Sequence, residues 1–180
     1  MRTDARFRDA ATAVALDVAD HDEFSAFLDL AEPRRHGHLV NVASGVGRVP
    51  LPGSATYSAT KHGVVGLTES LRLEYRRSGV TFTVVQPSQV RTGMIVGQPR
   101  PRALPVVTPE QVAAAVLDAL RHRRFEVWVP RSQGTSAKLG ALLPRPVRDV
   151  VLRMIGVTRI AGDSDPEARR AYHERAFGRS

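Results

Sequence analysis

Residues 37–61 read GHLVNVASGVGRVPLPGSATYSATK, and their order of apolar run, loop and helix decides the fold. His38–Ala43 (HLVNVA) is a short apolar run with the length of a buried strand. It passes into Gly45, Gly47, Pro50, Pro52 and Gly53, which is loop by composition. From Tyr57 the pattern turns helical. Val64, Leu67, Leu71 and Tyr75 form an apolar stripe over Tyr57–Arg77, and Gly79 stops it.

Working outward, Val80–Val85 (VTFTVV) predicts another strand, closed by Pro87. Residues 93–107 are rich in Gly and Pro and predict irregular structure. Thr108-Pro109-Glu110-Gln111 is a capping box with proline at the first helical position, so a helix should run from there to about Arg121. Phe125–Val129 (FEVWV) predicts a strand. Upstream, Ala13–Val18 reads as a strand and Asp22–Leu28 as a helix, with Phe24, Phe27 and Leu28 on one side. Past Pro130 the pattern predicts two or three short helical stretches, the last opening at Asp165-Pro166-Glu167. Strands alternating with helices imply parallel crossover units. The fold class expected is α/β, a truncated Rossmann-like, doubly wound parallel sheet with C-terminal lid helices.

Three side chains stand out as a set. Tyr57 and Lys61 are four residues apart at the start of a helix, and Ser44 lies thirteen residues before Tyr57. Residues at i and i+4 share a helix face. Ser44 falls just past a strand, and in open α/β sheets ligands bind outside the carboxyl ends of strands. A phenol ionises near pH 10 and is a poor acid or base at neutrality. An ammonium within about 4–6 Å favours the phenolate, which brings the group into the range where proton transfer is efficient. A serine hydroxyl beside it can hold a carbonyl or alcohol oxygen.

The stretch from Gly37 to Lys61 resembles the active-site segment of the short-chain dehydrogenase/reductase family, in its C-terminal, catalytic part. The resemblance is strong over residues 37–92 and extends over about 10–130. It implies that Ser44 polarises the substrate, that Tyr57 is the acid/base, and that Lys61 assists it and binds the nicotinamide ribose hydroxyls. Pro87-Ser88-Gln89-Val90-Arg91-Thr92 resembles the family's Pro-Gly-x-Val-x-Thr turn, so Pro87, Val90 and Thr92 are expected at the nicotinamide carboxamide. Ser88 stands where the family has glycine. Asp17 and Val18 resemble the Asp-Val pair that lies against the adenine. The cofactor implied is NAD or NADP, and the activity is hydride transfer between it and a small-molecule carbonyl or alcohol substrate. No metal site is expected.

Two family features have no counterpart in these 180 residues: the glycine-rich Gly-x-x-x-Gly-x-Gly turn that seats a pyrophosphate at a helix N-terminus, and the fourth strand with its following asparagine helix. The one asparagine, Asn41, sits inside a predicted strand. The gaps keep open an alternative, a non-catalytic remnant in which cofactor binding is lost and which acts by association. The expected partition is 1–130 as a partial Rossmann-like domain and 131–180 as its helical extension. The helix at Tyr57 is the family's usual contact between subunits, so a homo-oligomer or a full-length relative is an expected partner.

Composition narrows the remaining classes. The chain has no cysteine, which excludes disulfides, zinc–thiolate sites and thiol nucleophiles. Its net charge is +8, carried by scattered arginines with only two lysines, Lys61 and Lys138. No nucleic-acid module accompanies that charge, and nucleic acid is not an expected partner. No spanning helix and no secretion signal are read, and a cytoplasmic location is the default expectation. Ala137–Arg159 is basic and amphipathic. It reads as a lid or docking helix, with an interfacial membrane helix as the rival reading.

Overall fold

The computed structural model describes residues 37–92 and 104–156. The predicted elements Ala13–Val18 and Asp22–Leu28, the helix from Asp165, and the adenine-side candidates Asp17 and Val18 lie outside the described residues. Within them the chain forms β1 (Gly37–Val42), α1 (Ala55–Glu74), β2 (Val80–Pro87), β3 (Gln89–Val90), β4 (Val106–Val107), α2 (Pro109–His122), β5 (Glu126–Val129), α3 (Arg131–Ala141) and α4 (Arg145–Met154). A 3-10 turn, Gly45–Gly47, follows β1.

The described strands β1, β2 and β5 make a parallel sheet in the order β1-β2-β5. Leu39 is opposite Phe82 and Val42 opposite Val85 on one side of β2, and Val85 is opposite Val127 on the other. As the middle strand, β2 is apolar on both faces, as parallel strands between helix layers must be. Phe82 packs with Leu71 of α1, and Val84 with Val65 of α1. On the opposite face Val85 packs with Ala119 of α2, Val127 and Val129. Val84 and Val85 are both wholly buried, worth about 1.5–3 kcal/mol each. The two crossover helices therefore cover opposite faces, and the sheet is doubly wound as expected. α3 returns to the α1 side of β5, where Gly134 lies against the indole of Trp128.

Several boundaries differ from the sequence reading for identifiable reasons. α1 starts two residues before Tyr57, because Gly53, at φ 72°, turns the chain and releases it at Ser54. It ends at Glu74, where Tyr75 closes the helix and Ser78 bonds back to the Tyr75 carbonyl. β2 continues past Val85 to Pro87, which pairs opposite Val129. β1, expected to be buried, is half-buried, and Val42 is 52% exposed. Among the described residues only β2 flanks it, so one edge lacks that cover. Of the 93–107 stretch, the described residues 104–107 hold one short strand, β4, which pairs with β3. The capping box at Thr108 forms as predicted, with the Thr108 hydroxyl accepting from the Gln111 amide and the Gln111 side chain accepting from the Thr108 amide. Such a cap is worth about 1 kcal/mol. The basic stretch from Ala137 is not one helix. It breaks at Leu142–Pro144, where proline cannot continue a helix.

Candidate active site

The loop after β1 owes its shape to two small residues. Ser44 sits in extended backbone at the start of the 3-10 turn, and its hydroxyl accepts from the Val46 amide at 3.3 Å. The same hydroxyl donates to the Pro87 carbonyl at 3.5 Å. Ser44 is buried. Gly47 lets the loop lie on α1: a Cβ there would be 2.7 Å from the Lys61 carbonyl oxygen and 3.0 Å from Val65 Cγ2. Arg48 then ties the loop outward, paired with Glu69 of α1 and lying 3.6 Å from Glu126 of β5.

Tyr57 and Lys61 occupy one face of the first turns of α1. The Lys61 ammonium lies 5.8 Å from the centre of the Tyr57 ring, within reach of a cation–π attraction. It donates to the Val42 carbonyl at 3.2 Å. Tyr57 is 42% exposed, so its ring is open to solvent. Asn41 holds the helix in place from below, its amide donating to the hydroxyl of Thr68, which is fully buried.

Lys61 is thus fixed at the carboxyl end of β1 and Ser44 at the carboxyl ends of both β1 and β2. The structure brings Ser44 and Pro87 into contact, and Tyr57 and Lys61 into contact, at that one edge of the sheet. Val90 and Thr92 continue from it. Val90 pairs with Val107, the Arg91 amide bonds the Val107 carbonyl at 2.8 Å, and Thr92 is exposed with its amide on the Val90 carbonyl. The Ser88 amide is held by the Val129 carbonyl at 2.9 Å, and the Ser88 hydroxyl donates to the Pro105 carbonyl. A serine at this place therefore locks the segment to β5 and to the chain before β4.

Lys61 has three N–H donors, one of them used on Val42, so two remain for a vicinal diol. That donor set, beside an exposed phenol, fits the ribose and nicotinamide end of a dinucleotide. A cavity of about 680 Å³ opens nearby, between Pro50–Pro52, Ala55 and α4.

Sequence reasoning missed the partners that hold the site: the Val42 carbonyl under Lys61, the close approach at Gly47, and the link of Arg48 to Glu69 and Glu126. Gly47 carried a signal, as a glycine between a strand and a helix. The ion pairs carried none, since they join residues far apart in the chain.

Comparison with known proteins agrees with the fold. The profile of the short chain dehydrogenases matches residues 23–102. Over the matched residues the chain is of the short-chain dehydrogenase type. Epidermal retinol dehydrogenase 2 of Mus musculus is 28% identical over 139 residues, covering 74% of this chain and 45% of the relative. Ketoacyl reductase HetN of Nostoc is 33% identical over 133 residues, covering 69% of this chain and 46% of the relative. The chain spans just under half the length of the curated relatives it matches. Among solved structures, a short-chain dehydrogenase from Burkholderia cenocepacia in complex with NADP superposes with a TM-score of 0.59 at 26% identity, covering 75% of this chain and 53% of that one. One from Sphingobium yanoikuyae in complex with NADPH gives 0.51 at 25% identity, covering 69% and 54%.

Proposed function

We propose that this chain carries the catalytic residues of an NAD(P)-dependent oxidoreductase that interconverts an apolar carbonyl compound and its alcohol. The observation that carries the reading is the Lys61 ammonium, anchored on the Val42 carbonyl at 3.2 Å and set beside the exposed Tyr57 ring. The reading is supported by the family, by relatives named as a retinol dehydrogenase and a ketoacyl reductase, and by structural neighbours solved with NADP and NADPH.

The nicotinamide, when bound, supplies or accepts the hydride, which no protein side chain can do. The chain's own residues handle the oxygen and the proton. The Ser44 hydroxyl, at the mouth of β1 and β2, holds the substrate oxygen. In the reducing direction the Tyr57 hydroxyl gives its proton to that oxygen as the carbonyl becomes an alcohol. In the oxidising direction Tyr57 takes the proton back. Lys61 stabilises the phenolate left on Tyr57 and binds the ribose hydroxyls with its two remaining donors. Pro87, Val90 and Thr92 line the nicotinamide side, and the family resemblance alone assigns Asp17 and Val18 to the adenine.

The test is carbonyl-dependent oxidation of NADPH or NADH over a panel of apolar aldehydes and ketones. Tyr57→Phe should lower kcat by a hundredfold or more, roughly the share of general acid catalysis, with an unchanged melting profile because Tyr57 is surface-exposed. Absence of turnover by the folded wild-type chain across the panel, or equal turnover by the variant, overturns the reading.

A further inference from the structure

The helix α4 leaves its apolar side uncovered. At about 3.6 residues per turn, Val147, Val150, Val151 and Met154 share one face, and they are 48%, 50%, 39% and 81% exposed. The opposite side, with Arg148, Asp149, Leu152 and Arg153, lines the cavity against Pro50–Pro52 and Ala55. No residue of α4 is buried. The helix thus rests lightly on the protein through half-buried Arg148 and Leu152, and its apolar side, with Arg145 and Arg153 also exposed, is open to solvent. Leu139 and Leu142, at the end of α3, and Ile155 are exposed as well. Contiguous apolar surface of this kind on a folded protein marks an interaction site.

Charge indicates what covers it. α4 carries Arg145, Arg148 and Arg153 against a single acid, Asp149, in a chain of net charge +8. A second copy would bring the same arginines to the same contact and supply almost no carboxylate to meet them. A surface of anionic lipid supplies the missing negative charge and an apolar layer together. The helix has 10 residues, about 15 Å of length, half the thickness of a hydrocarbon core. None of the helices among the described residues is long and apolar enough to cross a membrane. An arginine-flanked helix of that length lies in the interface plane, its apolar side sunk among the acyl chains. We infer that α4 docks this protein on an anionic membrane surface through Val147, Val150, Val151 and Met154, with the arginines at the headgroups.

The experiment is co-sedimentation of the full chain with phosphatidylcholine vesicles, with and without phosphatidylserine, at low and high salt. The wild type should pellet with the serine-containing vesicles at low salt and be largely released by high salt. The double variant Val150→Glu, Met154→Glu should lose pelleting while keeping the wild-type melting profile, since both side chains already face water. Arg145→Gln and Arg153→Gln should each weaken binding about fivefold. Three results overturn the inference: no pelleting of the folded wild type, equal pelleting with both vesicle types, or equal pelleting by the glutamate variant. A lipid-free dimer that the same glutamates dissociate also overturns it, and assigns the face to a second copy.

Discussion

Glu126 shows how single residues hold the site loop to the sheet. Burial alone would raise its pKa, yet the Lys138 ammonium at 2.6 Å, the Gln86 amide at 3.0 Å and the nearby Arg48 outweigh burial and hold the carboxyl below the usual glutamate range. A depressed carboxylate stabilises the fold above its unfolded pKa and loses that contribution as pH falls through the folded one. His38 acts in the same direction for a different reason. Burial first, and then the Arg123 guanidinium, keep it below the ordinary histidine value of 6.5. Its ring nitrogen Nε2 donates to the Thr83 hydroxyl, because that hydroxyl gives its own proton to the Arg124 carbonyl. A histidine that resists protonation in the fold makes the fold weaken as pH drops below the unfolded value. Stability should therefore decline in two stages on acidification, the His38 stage first and the Glu126 stage in the carboxylate range. Glu126→Gln should cost about 1 kcal/mol at neutral pH and flatten only the second stage. Urea unfolding at a series of pH values reads both, and an unaltered acid limb in the variant would count against the Glu126 network.

At the scale of elements, the contact between the loop after β1 and α1 decides whether Ser44, Tyr57 and Lys61 share one edge. Gly47 is its tightest point, with the Lys61 carbonyl behind it. Backbone cannot yield there as a flexible side chain would. Gly47→Ala should destabilise by about 1–3 kcal/mol, measured by urea unfolding, and should impair turnover beyond that loss because the helix start must shift. A variant as stable as wild type would mean that the approach is looser than described. The existence of these elements was legible: HLVNVA and VTFTVV are apolar runs bounded by Gly and Pro, and Thr108–Gln111 spells its own cap. Their ends were less so. α1 begins before Tyr57 because of a left-handed Gly53, and β2 runs through Pro87 because a parallel strand end tolerates proline where no ladder donor is needed. The break of the basic stretch at Leu142–Pro144 was visible in Pro144 and Pro146, but the amphipathic pattern spans it and hid it.

For the whole molecule, the sequence pointed to the candidate residues and left the groups around them unread. Ser44, Tyr57 and Lys61 are chemically distinctive and sit at fixed spacings around a strand end. The groups that position them are the Val42 and Pro87 carbonyls, the Asn41–Thr68 bond and the Arg48 link, which exist only once β1 and β2 are side by side. The open apolar side of α4 was unreadable for a like reason. Periodicity reports that a helix has an apolar face, not which way that face points. The central claim, that the carboxyl edge of β1 and β2 holds a nicotinamide nucleotide, is tested most directly by a thermal melt of the full chain with excess NADPH and with excess NADH. At a hundred times its dissociation constant a ligand adds about 2.7 kcal/mol, a rise of several degrees for a protein of this size. The account predicts such a rise with at least one of the two, and its loss in Lys61→Ala. A cooperative melt whose midpoint stays the same with both nucleotides would contradict it.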